Sequence, residues 1–146
     1  MFMVPRWSWM SVGDPYDAYP PRLRELRRMR VSGVYGIRLR TTGAVLYIGE
    51  SHSDCLYQTL TRHLQKPHVD GRLRYFCVDR SSVEVDWTIM ENKPEIMWLE
   101  AYLMAFYEPV GNGDRAGWIS WDTAESFAHF QEDEPDDVAP TDEVPF

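Results

Sequence analysis

Two short runs of alternating apolar residues, joined by a turn that contains glycine, constrain this chain more than any other feature. The turn is Thr41-Thr42-Gly43. Alternation with a period of two predicts half-buried strands, and a three-residue loop with glycine is typical of a β-hairpin. With this loop, Arg40 pairs with Ala44, Ile37 with Tyr47, and Tyr35 with Gly49. Tyr35 and Tyr47 then lie on one face of the sheet as diagonal neighbours, about 5–8 Å apart.

Helix and strand patterns flank this hairpin. Leucines recur every four residues after Asp54, which predicts a helix over 54–65 with Asp54 as its N-cap. Asn92, followed three residues later by Glu95, predicts the start of a helix that runs to Tyr107. The remaining expected elements are helices that begin at Pro21 and near Ala124, and strands over 73–78 and 83–90. The chain is therefore predicted to be a single α+β domain, a sandwich-like fold in which helices flank a small, mostly antiparallel, three-stranded sheet.

Charge divides the chain into unlike parts. The net charge is −8, but residues 119–146 contain nine acidic and no basic side chains, whereas residues 1–118 contain 15 basic and 14 acidic ones. We expect an arm and basic helix over 1–30, a core over 31–112, an extension with a short helix over 113–131, and a mobile acidic tail over 132–146. No run of 18 apolar residues predicts a membrane span, and no secretory signal is evident at the start, so we expect a cytoplasmic protein that does not contact membranes.

The basic helix has two interpretations. Arg22, Arg24, Arg27, Arg28 and Arg30 alternate there with apolar residues at helical spacing. Such a helix either covers the sheet with a solvated outer face or contacts phosphates, and both can hold together.

Glu100 is the only charged residue between Ile96 and Tyr107. It falls in the middle of an otherwise apolar helical arc. A carboxylate in that position is costly to bury unless it is paired with a cationic side chain, protonated or bound to a metal ion.

The motifs Gly33-Val34-Tyr35 and Tyr47-Ile48-Gly49, followed in order by Arg62, Glu100 and Asn112, resemble those of the GIY-YIG nuclease superfamily over about residues 32–112. The resemblance implies a metal-dependent endonuclease that hydrolyses DNA phosphodiester bonds with one metal ion. It implies catalytic roles for Tyr35, Tyr47, Arg62 and Glu100, with Glu100 as the ligand of Mg²⁺, or of Mn²⁺ as a substitute. Which tyrosine accepts the proton of the attacking water stays open.

The resemblance also implies supporting roles. His52, His63 and Lys66 are expected to contact substrate, and Gly33, Gly49 and Asn112 to be structural. Relatives with a similar Gly-Glu-Ser-His loop can carry an arginine nearer the helix start, where Cys55 stands in this chain. The alternative function is therefore a catalytically impaired module that binds nucleic acid or protein. A homodimer or a partner protein would supply specificity, and the protein would be an intracellular one from a bacterium or a phage.

Overall fold

The computed structural model describes residues 4–65 and 77–109. The described elements are β1 (Met10–Ser11), α1 (Pro21–Met29), β2 (Gly33–Leu39), β3 (Val45–Ser51), α2 (Leu56–Arg62), β4 (Val83–Ile89) and α3 (Lys93–Tyr107), with one 3₁₀ turn at Arg80–Ser82. The strands form one antiparallel sheet in the order β1-β4-β2-β3. The predicted α+β fold is confirmed, but the sheet has four strands where three were predicted.

The additional strand comes from the N-terminal arm. Met10 pairs with Val85 of β4 and Ser11 with Glu84, and a strand of two residues is too short to show alternation in the sequence. The backbone after β1 is held by Arg80, which is 6% exposed and donates to the carbonyl oxygens of Val12 at 2.7 Å and Asp17 at 2.8 Å. The arm is therefore joined to the sheet by strand pairing and by a buried guanidinium.

The hairpin has the predicted register over most of its length. Tyr35 pairs with Gly49 and Ile37 with Tyr47, as expected. The predicted pairing of Arg40 with Ala44 is wrong. Arg38 pairs with Val45, which leaves Leu46 as the extra residue of a bulge, and the amide of Leu39 donates to the oxygen of Ala44 at 2.9 Å. The bulge shifts the register by one residue near the turn and leaves the tyrosine face unchanged.

Helices cover both faces of the sheet. Leu23 and Leu26 of α1, with Leu56 and Leu60 of α2, pack on the face that carries Tyr35. The opposite face carries alternate residues of the same strands, Val34 and Ile48, and α3 covers it with Ile96, Leu99 and Leu103. Among the described residues, β3 is the last strand of the sheet. Helix α3 contacts it from one face and α2 from the other.

The starts of the helices agree with the sequence in two cases and differ in one, and α2 ends at Arg62 where the prediction extended it to residue 65. Pro21 is the first residue of α1, and Asn92 caps α3 by accepting a hydrogen bond from the Glu95 amide at 3.0 Å. Asp54 is not the cap of α2. It has a φ of 62°, and its carboxylate accepts a hydrogen bond from the Ser32 hydroxyl at 3.1 Å, which leaves Cys55 as the N-cap.

Some predicted elements lie outside the described residues. They are most of the strand over 73–78, the extension with its short helix, and the acidic tail. The prediction of that strand is wrong for its last two residues, Cys77 and Val78, which are described and are neither helix nor strand. Within residues 4–65 and 77–109, no helix has both the length and the apolar composition needed to cross a membrane.

Candidate functional site

Two tyrosines and a histidine form the buried centre of the candidate site. The rings of Tyr35 and Tyr47 stack with their centroids 6.2 Å apart, within the predicted range. His63, directly after α2, lies with its ring centroid 4.5 Å from that of Tyr47, and its Nε2 is 2.7 Å from the Tyr35 hydroxyl oxygen. Tyr35 and His63 are 1% and 2% exposed, whereas Tyr47 is half-buried. Tyr47 is therefore the ring of the three that solvent reaches most easily.

Glycines make this packing possible. A Cβ atom on Gly49 would come within 3.0 Å of the Tyr35 ring and hydroxyl, and one on Gly33 would collide with the carbonyl oxygen of Thr88 on β4. Neither glycine has a positive φ, so close approach is the reason why glycine is needed at both positions. The absence of a side chain on Gly49 lets the Tyr35 hydroxyl lie against the backbone of β3.

Arg62, the last residue of α2, brings positive charge to the tyrosines. Burial raises the pKa of Tyr35 well above its usual value and that of Tyr47 to about 12, and the Arg62 guanidinium opposes both rises. Its Nε and Nη1 atoms are shielded from solvent. A guanidinium this close to the tyrosines can stabilise, through its charge, the negative charge that develops on a bound phosphate.

Glu100 approaches the same strand from α3. Burial, and secondarily the charge of Glu50, raise the pKa of the Glu100 carboxyl from 4.5 to about 7. The Glu100 charge in turn raises the pKa of Tyr47 and, more weakly, that of Tyr35. Glu100 therefore lies within electrostatic range of the tyrosines, although they belong to the other face of the sheet.

Glu50, near the end of β3, influences Glu100 through its charge and contacts His52 in the loop that follows. It pairs with Val34, so it faces the α3 side of the sheet, opposite to Tyr47 and Gly49. His52 lies beside it, with Nδ1 3.0 Å from a carboxylate oxygen of Glu50. The structure thus places His52 on the exposed side of the carboxylates, at the surface of the candidate site.

Four residues predicted to be catalytic, Tyr35, Tyr47, Arg62 and Glu100, are brought together around β3. His63 is also there, but it lies inside the site as a partner of Tyr35. Cys55 stands at the opposite end of α2, where its thiol donates to the Ser53 carbonyl oxygen at 3.3 Å. Lys66 and Asn112 lie outside the described residues.

The sequence interpretation missed two features of the site. Glu50 directly follows Tyr-Ile-Gly, and strand alternation alone would have placed it on the face opposite to Tyr47, where a helix had to pack. The bond between Tyr35 and His63 joins residues 28 positions apart in the chain. No local pattern signals such a contact.

The carboxylates suit a hard divalent cation. Glu100 and Glu50 offer oxygen donors, and a cation would relieve the burial and repulsion that raise the pKa of Glu100. Among the described residues, no group of three or more His, Cys, Asp or Glu side chains is arranged to hold a metal ion. Mg²⁺ retains several waters and needs only one or two protein carboxylates, so the donors present fit this ion.

Comparison with known proteins adds no relative. No protein-family model, curated protein or solved structure matches this chain. The side chains around β3 therefore provide the observations that bear on function. Stacked phenols, a partly buried guanidinium and a half-buried carboxyl with a raised pKa form a set of groups that can exchange protons and stabilise charge.

Proposed function

We propose that this protein is a metal-dependent endonuclease of the GIY-YIG type, which hydrolyses DNA phosphodiester bonds with one metal ion. The observation that carries the proposal is the convergence of Tyr35, Tyr47, Arg62 and Glu100 around one edge strand, from four different elements of the fold. Packing alone accounts for two stacked phenols. Burying a guanidinium and a carboxyl beside them costs free energy, and a bound phosphate and cation would offset that cost.

In this proposal, Glu100 holds a Mg²⁺ ion, with Glu50 beside it. When bound, the ion would act as a Lewis acid toward a non-bridging phosphate oxygen and stabilise the leaving 3′ oxygen. Glu100 must lose its proton to bind a cation, so its raised pKa makes cation binding increase with pH up to and beyond about 7.

Tyr35 and His63 provide a path for the proton of the attacking water. Burial keeps the Tyr35 phenol protonated, because it raises the pKa far above neutral pH. Nε2 of His63 lies 2.7 Å from the Tyr35 hydroxyl oxygen, and in this proposal the hydroxyl donates the hydrogen bond between them. As the water attacks, Tyr35 can take its proton and pass its own to Nε2 without ever carrying a full charge.

Tyr47 and Arg62 act on the phosphate in this scheme. Tyr47 has the more accessible ring of the two tyrosines, so its hydroxyl can donate to a phosphate oxygen. The pKa of Tyr47, about 12, keeps that hydroxyl protonated at neutral pH. Arg62 contributes a fixed positive charge behind both rings, where the extra negative charge of the transition state would be stabilised. An intracellular location is part of this proposal, because the substrate is DNA and both cysteines are free.

Plasmid nicking tests the function. With Mg²⁺, the parent protein should nick supercoiled DNA, and Glu100→Gln should lower the rate at least a hundredfold, because Gln keeps the shape of the side chain but not its charge. The matched control is Glu95→Gln, which removes the same charge from an exposed position of α3 and should nick at the parent rate. Tyr35→Phe should also lower the rate while circular dichroism shows the fold intact.

Two outcomes would contradict the proposal. Nicking by Glu100→Gln at the parent rate would remove Glu100 from the reaction. DNA binding by the parent without any nicking, in either Mg²⁺ or Mn²⁺, would favour the alternative of a catalytically impaired binding module.

A further inference from the structure

The N-terminal basic helix carries a dense positive charge in a chain that is negative overall. Five arginines and one glutamate, Glu25, lie between residues 22 and 30, whereas the whole chain has a net charge of −8. The apolar face of α1 is occupied, because Leu23 and Leu26 are fully buried against the domain. The arginines are therefore left on the outer side of a helix that is held firmly in place.

Four of these arginines border one open groove. Arg24, Arg27, Arg28 and Arg30 line it from the α1 side, and Tyr57 lines it from α2, together with Ala18 and Tyr19. The groove has a volume of about 740 Å³. Among the described residues, those that line the groove include no acidic side chain, and most of them are cationic or aromatic.

Most of this charge is not used inside the protein. Arg22 forms an ion pair with the buried Asp86 at 2.6 Å and lies outside the groove. Within residues 4–65 and 77–109, Arg27 and Arg30 have no acidic partner. Arg28 contacts Glu25 at 3.4 Å, but both side chains are more than half exposed, and such pairs contribute little. The described part of the chain thus leaves several groove cations without a nearby acidic partner.

Aromatic side chains give the groove a defined floor. The rings of Tyr19 and Tyr57 meet edge to face with centroids 6.3 Å apart, and Arg27 lies over the Tyr57 ring at 6.0 Å. Burial raises the pKa of Tyr19, so its hydroxyl stays a hydrogen-bond donor at neutral pH. Fixed guanidinium groups beside phenol donors are the set of groups that proteins use to hold phosphate oxygens.

We propose that this groove binds the phosphate backbone of a nucleic acid. The groove lies beside the first turn of α2 and the candidate site beside its last turn. Tyr57 and Arg62 are five residues apart, which is about 7.5 Å along the helix axis and about 140° around it. As a binding surface for the substrate, the groove rests on the proposed function; as a phosphate-binding surface, it can be tested without any cleavage.

The experiment measures binding without chemistry. A fluorescently labelled 20-base-pair DNA duplex and the matching single strand are titrated with the full chain in EDTA, and anisotropy is followed between 50 and 200 mM salt. The test variant is Arg27→Gln/Arg30→Gln. The matched control is Arg40→Gln/Lys93→Gln, which removes the same two charges from exposed positions of the hairpin turn and of the α3 start.

The proposal expects a loss of affinity that is confined to the test variant. For duplex DNA, its binding at 50 mM salt should weaken by about tenfold or more, and the slope of log affinity against log salt should fall by about 2, since each phosphate contact contributes about 0.9. The control should bind within about twofold of the parent. A test variant that binds like the control would overturn the proposal.

Two further outcomes separate the alternatives. If the parent binds DNA through these arginines but does not nick plasmid, nucleic-acid binding by the groove is supported and the proposed nuclease function is contradicted. If polyglutamate of similar length competes as well as DNA and with the same arginine dependence, the groove is a site for acidic protein segments, which overturns the proposal for nucleic acid.

Discussion

Replacing Glu100 by glutamine should stabilise the protein, and more so as the pH rises. In the folded chain, burial and the neighbouring Glu50 raise the pKa of Glu100 from 4.5 to about 7. Folding therefore favours the protonated carboxyl, and ionisation of Glu100 opposes folding. Glutamine has nearly the same shape and never ionises, so it removes this cost.

The magnitude follows from the two pKa values. A rise from 4.5 to about 7 corresponds to about 3 kcal/mol at full ionisation. The stability that depends on the protonated carboxyl is fully present below pH 4.5 and is lost as the pH rises through 7. Proton linkage between these values gives a destabilisation of about 1 kcal/mol at pH 5 and about 3 kcal/mol at pH 8. The difference in free energy of unfolding between Glu100→Gln and the parent should thus grow by about 2.5 kcal/mol from pH 5 to pH 8.

Urea denaturation at pH 5, 6, 7 and 8, in EDTA, measures this growth directly. Glu95→Gln, at an exposed position of the same helix, is the control for loss of one negative charge. Adding Mg²⁺ at pH 8 should stabilise the parent and leave Glu100→Gln unchanged, because only the carboxylate binds the ion. A difference between parent and variant that stays constant from pH 5 to pH 8 would refute the reasoning, since the Glu100 environment would then not oppose ionisation.

The remaining predictions concern packing and capping. Gly49→Ala should destabilise the fold by about 1–3 kcal/mol, because the added methyl group displaces the Tyr35 ring from β3; urea denaturation of the variant and the parent checks this. Equal stability of Gly49→Ala and the parent would contradict the close packing. Asn92→Ala should cost about 1 kcal/mol, because it removes the cap of α3; a loss below about 0.3 kcal/mol in the same assay would show that the cap is not needed.

The sequence predicted the central part of the site because strand alternation is strict. Once Ile37 and Tyr47 were opposite each other, Tyr35 and Tyr47 had to share a face, and the structure shows their rings 6.2 Å apart. Glu100 was likewise identified from the apolar residues around it. These inferences needed only the spacing of apolar residues along a strand or a helix and the position of one turn.

The rest depended on contacts that a local pattern does not contain. Strand β1 has two residues, and its existence depends on the free edge of β4. The bulge at Leu46 depends on how the turn closes, and the role of Asp54 depends on a hydroxyl 22 residues earlier. Glu50 became part of the site only because α3 packs on β3. Each of these features is decided by tertiary packing, which overrides the local preferences of the chain.

The buried guanidinium of Arg80 sets the smallest fragment of this protein that can be expected to fold. A fragment that starts at residue 31 would lose the carbonyl oxygens of Val12 and Asp17 that accept its hydrogen bonds, and the Tyr19 ring stacked on it at 4.2 Å. With the arm removed, the guanidinium would be open to water, and the core would lose the buried side chains of Val12, Leu23 and Leu26. The same cut would expose the outer edge of β4 and invite self-association through strand pairing. A stable minimal domain must therefore begin before Trp7, whose indole nitrogen donates to Thr88 on β4.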